Sequence, residues 1–154
     1  MSRRDQIRMS DDEIRAFLES GRDLQVASIN PDGTPHLVTM WYELDGGDVC
    51  FWTYGKSQKV VNLRRDPRLS VLVATGDVYE ELKGVSITGR AEIVEDTDDV
   101  LAFGLKLFAR YWNASVDDEA VRAGVEAQAR KRVVIRVKAE KTVTWDHAKL
   151  AGVY

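Results

Sequence analysis

The chain has 154 residues, of which 44% are hydrophobic and 31% are charged. This balance is typical of one water-soluble globular domain over residues 1–154, and it excludes a disordered chain and a membrane protein. The 22 Lys and Arg residues and 25 Asp and Glu residues give a net charge of -3, without the basic excess expected of a nucleic-acid-binding protein.

The N-terminus is basic but has no apolar segment behind it, and no apolar run approaches the roughly 18 residues of a membrane span. We therefore expect a cytoplasmic protein that does not bind membranes. The single cysteine, Cys50, lies in an apolar run and is expected to be an inert core thiol. The two histidines, His36 and His147, belong to no cluster with metal-ligand spacing, so no metal site is predicted.

The first half of the chain predicts a helix followed by a three-stranded meander. Ser10 and Glu13 have the spacing of a capping box, and Gly21 is placed to end the helix. Turn residues at 31–34 and 45–48 separate the apolar runs that follow. The predicted strands are Leu24–Ile29, His36–Leu44 and Val49–Thr53.

The second half predicts four more strands and three helices. Ser57 can cap a short helix that Asp66 and Pro67 stop. The predicted helices are 57–65, 96–112 and 117–129; the strands are 69–74, 85–94, 132–137 and 142–145, before a tail over 146–154. About seven short strands joined by tight turns favour an α+β fold, mainly β, built on a closed or partly closed antiparallel barrel.

One segment has the pattern of an anion site. A strand ends at Thr53, a glycine turn follows, and a helix begins at Ser57, so free backbone amides face the space beyond the strand. Lys56 and Lys59 flank this corner and add positive charge. The pattern predicts a cradle for one phosphate group. Spacing alone is equally compatible with an ordinary capped helix whose lysines are solvated.

Motifs over nearly the whole chain point to a known family. They are Trp41-Tyr with Asp45-Gly, Phe51-Trp-Thr, Lys59-Val-Val-Asn-Leu-Arg-Arg-Asp-Pro-Arg68, Gly84-Val-Ser-Ile-Thr-Gly-Arg-Ala-Glu92 and Trp145-Asp-His. With these motifs the chain resembles the pyridoxamine 5'-phosphate oxidase-like split β-barrel superfamily. Within it, the chain is most similar to actinobacterial deazaflavin-dependent reductases, which commonly use coenzyme F420.

The resemblance implies a dimeric split antiparallel β-barrel with flanking helices, in which both chains of a homodimer build each cofactor cleft. Trp52 and Thr53 match an aromatic residue and a threonine that contact the cofactor in FMN-binding members. Ser57, Gln58 and Lys59 match a phosphate-binding Ser-Arg-Lys, with glutamine in place of arginine.

Other matched positions favour a deazaflavin over FMN. The segment from His36 through Met40 to Trp41 replaces an Arg-x-Val-Leu-Leu-Lys strand and so lacks two basic cofactor contacts. The longer anionic tail of F420 would be met by Lys56, Arg64 and Arg68. Met40 and Trp41 serve the cofactor or the core, one of Phe51 and Trp52 belongs to the core, and Trp145 stacks on a ring or anchors the dimer.

These matches imply a coenzyme F420-dependent oxidoreductase that transfers hydride to a small unsaturated organic substrate. Because the cofactor ring supplies the redox chemistry, an oxidoreductase of this kind does not need a catalytic triad. No catalytic residue is assigned. Two alternatives stay open: an FMN-binding oxidoreductase of the pyridoxamine-phosphate-oxidase-like type, and a non-catalytic flavin- or tetrapyrrole-binding protein.

Overall fold

The fold is taken from a computed structural model that describes residues 1–113 and 115–152, so the last two residues of the predicted tail lie outside it. The helices are α1 (Arg3–Gln6), α2 (Asp11–Ser20), α3 (Gln58–Arg65), α4 (Thr97–Trp112) and α5 (Glu119–Ala129), with 3₁₀ turns at Tyr79–Glu81 and His147–Leu150. The strands are β1 (Leu24–Ile29), β2 (Pro35–Met40), β3 (Glu43–Asp45), β4 (Asp48–Tyr54), β5 (Arg68–Thr75), β6 (Lys83–Val94) and β7 (Arg132–Asp146). Among the described helices, none is both long and apolar enough to cross a membrane.

The strands form one antiparallel sheet in the order β2-β1-β5-β6-β7-β4-β3. Chain neighbours β1 and β2, β3 and β4, and β5 and β6 pair directly, because short turns connect them. This seven-stranded split barrel with flanking helices confirms the predicted α+β, mainly β fold.

The prediction of two separate final strands is wrong. Arg132 to Asp146 form one strand, which pairs with β4 in its first part and with β6 along its length. The register shifts by one residue where Thr88 pairs with Lys141 and Gly89 with Ala139, so Glu140 is the extra residue of a bulge. A Cβ at Gly89 would lie 2.1 Å from the Lys138 carbonyl oxygen, so glycine permits this close approach.

The predicted strand His36–Leu44 is also wrong as one element, because it breaks at Trp41 and Tyr42. The Tyr42 amide donates to the Tyr111 hydroxyl of α4 at 3.0 Å instead of to a neighbouring strand. The Tyr42 hydroxyl donates to the Leu18 carbonyl of α2 and is fully buried. These tertiary contacts turn the chain out of β2 and into β3.

Strand β4 is covered on both faces, which corrects the expectation that only one of Phe51 and Trp52 is core. Phe51 packs in the barrel interior, whereas Trp52 packs beneath α4 and α5 with Phe103, Leu107 and Val125. Because consecutive strand residues point to opposite faces, Thr53 points back to the Phe51 side. The end of β4 therefore presents a different surface on each face.

Candidate functional site

The corner between β4 and α3 has the predicted order of strand, turn and helix. The Lys59 ammonium donates to the Thr53 hydroxyl over 2.9 Å, and the Ser57 hydroxyl lies 3.4 Å from Thr53 Oγ1. Thr53 is buried, while Ser57 and Lys59 are half-buried. Three of the predicted residues thus meet at one point.

The start of α3 differs from the other helix starts. In each of the other four described α-helices a side chain caps the first amides, namely Ser2, Ser10, Asp96 and Asp118. Ser57 occupies the same position in α3 but makes no side-chain capping bond, which corrects the predicted cap. The positive end of α3 is therefore left uncapped beside Lys59, and an uncapped N-terminus favours an anion.

Lys59 is a cation held partly out of water. Burial lowers the pKa of its ammonium, and the charge of nearby Arg132 lowers it further. In the described part of the chain, neither Lys59 nor Arg132 pairs with a carboxylate. A ligand anion would relieve the repulsion between the two cations.

Arg132, at the start of β7, is a candidate site residue that the sequence did not reveal. Its guanidinium lies 4.8 Å from the centroid of the Trp52 ring and 4.3 Å from that of Tyr54. Its Nε is buried and has no hydrogen-bond partner in the part of the chain that the structure describes. Two aromatic rings of β4 therefore fix the arginine in place while leaving a donor unused.

An aromatic cleft of about 290 Å³ lies on the face of β4 to which Trp52 points. Its walls include the aromatic rings of Trp41, Trp52, Phe108 and Trp112. Trp112 stacks on Phe108 with centroids 4.2 Å apart and meets the Trp41 ring edge-on at 4.6 Å. The remaining lining residues are Thr39, Met40, Leu107, Gln128 and Arg132. Hereafter "the aromatic cleft" means these nine residues.

Gly104 of α4 sets the position of the Trp52 ring. A Cβ at Gly104 would lie 2.5 Å from Trp52 Cζ3, closer than any real contact allows. Glycine thus lets the indole pack against the helix backbone, and the indole in turn supports Arg132. The packing of α4 on β4 therefore determines the wall of the cleft.

His36 of β2 is a second residue of interest in this region. Its Nδ1 is buried without a hydrogen-bond partner. His36 pairs with Ser28 of β1, and Ser28 accepts a hydrogen bond from Asn62 of α3. His36 and Met40 point to the same face of β2, since they are an even number of residues apart. The sequence offered one indication of a role for His36, because it aligns with the arginine of the Arg-x-Val-Leu-Leu-Lys strand in the FMN-binding members.

Comparison with known proteins gives the family. The pyridoxamine 5'-phosphate oxidase family matches residues 10–146 of the chain. The chain belongs to this family. None of the curated proteins matches it.

Solved structures agree with this assignment. A conserved hypothetical protein from Mycobacterium tuberculosis is 42% identical, with a TM-score of 0.92 over 100% of this chain and 95% of that one. An F420 reductase is 29% identical, with a TM-score of 0.66 over 83% of this chain and 94% of that one. The heme storage protein of Vibrio cholerae is 16% identical, with a TM-score of 0.67 over 87% of this chain and 95% of that one, and shares the fold.

The structure places six of the predicted site residues in two groups, the corner and the aromatic cleft, and separates the others. Met40, Trp41 and Trp52 line the aromatic cleft. Thr53, Ser57 and Lys59 form the corner, where Thr53 points to the other face of β4 from Trp52. Lys56 is exposed in the turn. The Gln58 amide donates to Asn62 at 2.9 Å, along the helix, and Arg64 pairs with Glu95 on the surface.

Trp145 lies elsewhere in the same chain. It pairs with Gly84 at the far end of β7, whereas Thr53 pairs with Val133 at the near end. A Cβ at Gly84 would lie 2.2 Å from the Trp145 ring, so the indole lies flat over that glycine. Within one chain, Trp145 is therefore not part of the corner or the aromatic cleft.

Proposed function

We propose that this protein is a coenzyme F420-dependent oxidoreductase that transfers hydride to a small unsaturated organic substrate. The observation that carries the proposal is the uncapped start of α3, where Thr53, Ser57 and Lys59 surround a position suited to one phosphate group. Membership of the pyridoxamine 5'-phosphate oxidase family and the similarity to an F420 reductase support it.

The side chains present favour the deazaflavin over FMN. Gln58, His36 and Trp41 occupy positions that are basic in the FMN-binding members, and none of them supplies a fixed positive charge. Lys59 would hold the phosphate, with Thr53 and Ser57 as further donors, while exposed Lys56 is placed to meet a longer anionic tail. The ring, when bound, accepts and delivers hydride, and the aromatic cleft would exclude water from that exchange.

A homodimer belongs to the same proposal. The outer face of edge strand β2 exposes Leu37, of which 66% is accessible. Paired protomers would cover such apolar surface and complete a cofactor cleft from two chains. Trp145, remote from the corner within its own chain, is our candidate for the residue that the second chain contributes.

Lys59→Ala tests the cofactor site directly. Replacing the lysine removes a charge-assisted contact of about 1.5 to 3 kcal/mol, so F420 should bind roughly tenfold or more weakly. Lys141→Ala is the matched control, since Lys141 is exposed on β7. Tryptophan quenching during titration with F420 and with FMN, at low and high salt, gives the affinities.

The wild type should prefer F420, and that preference should shrink as salt screens the anionic tail. Reduced F420 should then be oxidised by the protein in the presence of an unsaturated acceptor. Equal F420 affinities in wild type and Lys59→Ala would remove Lys59 from the site. Tighter binding of FMN than of F420 would instead identify an FMN protein.

A further inference from the structure

We propose that the aromatic cleft binds planar, apolar substrates carrying a carboxylate, and that Arg132 recognises that anionic group. This inference rests on the proposed function only in taking the ligand of the cleft to be the substrate. Three features of the cleft support it: its walls, its volume and the state of its arginine.

The walls select a flat molecule. Trp41 stacks on Tyr111 with the rings 11° from parallel, and Trp112 stacks on Phe108 at 23°, so the rings are braced by neighbours. Braced aromatic faces offer a large apolar contact at low cost in side-chain entropy. A volume of about 290 Å³ is at the small end for ligand sites, enough for one or two fused rings.

Arg132 supplies a charge that selects for an anion. A buried N–H without a partner costs free energy, and natural proteins leave few of them. Elsewhere in the described chain, partly buried arginines have acids: Arg110 pairs with Glu43, and Arg136 with Asp45 and Asp48. Arg132 lines the aromatic cleft without such an acid among the described residues, so its carboxylate partner would come from a ligand in the cleft.

The two faces of β4 separate this anion from the phosphate of the cofactor. Thr53, with Lys59, points to one face of the strand, while Trp52 and Tyr54, which hold Arg132, point to the other. One strand end thus presents two cations to two neighbouring spaces. We assign Lys59 to the phosphate and Arg132 to the substrate carboxylate.

Binding of a matched pair of probes tests the assignment without any cofactor. Naphthalene-2-carboxylate and naphthalene-2-carboxamide have the same shape and differ in charge. Quenching of tryptophan fluorescence should show the carboxylate binding roughly tenfold more tightly to the wild type. Arg132→Met keeps an apolar side chain between the two rings, so it should lose that preference and bind the carboxamide within about twofold of wild type.

Arg122→Met, at an exposed position on α5, is the control and should retain the preference. Thermal melts establish that each variant folds, and the preference of the wild type is measurable even if Arg132→Met does not fold. Equal binding of both probes to the wild type would overturn the proposal, as would a preference that persists in Arg132→Met.

A second arm identifies the source of the anion. With saturating F420 present, the carboxylate probe should still bind, because the cofactor phosphate occupies the other face. Loss of probe binding would mean that the cofactor tail occupies Arg132, which overturns the assignment. If Lys59→Ala bound F420 as tightly as the wild type, the proposed cofactor site would be refuted. The probe measurements made without cofactor would still test Arg132, so the two proposals can fail separately.

Discussion

Two groups of basic side chains in this protein differ in whether the fold supplies their partners. Arg110 of α4 donates to Glu43 at 3.1 Å and to the carbonyl oxygens of Leu18 and Gly21. Among the described residues, Lys59 donates only to the Thr53 hydroxyl, and Arg132 has two aromatic faces and an Nε without a partner. Both groups are withdrawn from water, so burial alone does not distinguish them.

We interpret this difference as one between structural charges and charges that are available to a ligand. Arg110 joins α4 to β3 and to the end of α2, and with its partners present it repays the cost of leaving water. Within residues 1–113 and 115–152, Lys59 and Arg132 form no ion pair, and the two cations repel each other. Under the proposed function, bound anions would complete these two cations and offset their cost in stability.

The sharpest test of this comparison is removal of the paired arginine. Arg110→Ala removes the cation paired with Glu43 and the Arg110 bonds to the Leu18 and Gly21 carbonyls, and it should lower the free energy of unfolding by about 3 kcal/mol. Urea denaturation measures the change, with Arg122→Ala as a surface control. Because Arg110 is structural, the folded variant should bind F420 within about twofold of wild type. A loss below about 1 kcal/mol would contradict the structural role.

A second, smaller effect tests whether the packing of Trp52 on α4 holds Arg132 in place. Gly104→Ala places a methyl group 2.5 Å from the Trp52 ring and 3.0 Å from Val125. Overpacking of this kind costs about 1 to 3 kcal/mol and should move the indole on which Arg132 rests. Urea denaturation measures the loss of stability, and the tryptophan emission maximum reports the displacement of the indole.

Gly124→Ala on α5 is the matched control for that variant. A Cβ there meets no atom within 4 Å, so alanine should stabilise the helix by up to about 1 kcal/mol. If Gly104→Ala behaved like Gly124→Ala, the close packing of Trp52 on α4 would be refuted. The carboxylate preference of the aromatic cleft should fall only in Gly104→Ala.

Local patterns predicted most elements, and the errors arose where distant contacts override local pattern. The helices after the first, and most strands, were correct within a few residues. The break at Tyr42 depends on Tyr111 and Leu18, which no window around residue 42 contains. The polar residues from Lys138 to Lys141 resemble a turn, yet β6 pairs with them through a bulge. Helix α1 is only one turn long and gave no apolar pattern.

In the candidate site, too, residues close in sequence were predicted and the residue brought in by long-range pairing was not. Thr53, Ser57 and Lys59 are close in sequence, so a strand, turn and helix were enough to predict that they meet. Arg132 reaches them only through the pairing of β4 with β7, in which Tyr54 lies opposite Arg132. Its neighbours Lys131 and Val133 give no sign of a site. Cys50 shows the reverse case: its apolar run predicted burial, and burial raises the pKa of its thiol to about 12.

The smallest expected effect concerns the stability that Lys59 itself costs. Burial lowers the pKa of Lys59 from its ordinary 10.5, with Arg132 contributing. At neutral pH the lysine is charged in both states, and the folded state bears the desolvation cost. Between the lowered pKa and 10.5 the folded state releases its proton first, so stability rises with pH until the cost has vanished. Lys59→Met should therefore be more stable than wild type at neutral pH, by less than about 1 kcal/mol.

This advantage should shrink as the pH rises toward 10.5, because the wild type then loses the charge that penalises it. Denaturation of wild type, Lys59→Met and Lys141→Met over that range measures it. Tyr42, whose pKa burial raises from 10.0 to about 12, reduces stability at high pH in all three proteins, so the differences between them are unaffected. Lys141→Met should show no trend with pH. If Lys59→Met were instead less stable than wild type at neutral pH, the bond from Lys59 to Thr53 would outweigh desolvation. Lys59 would then belong with Arg110 among the charges that hold the fold together.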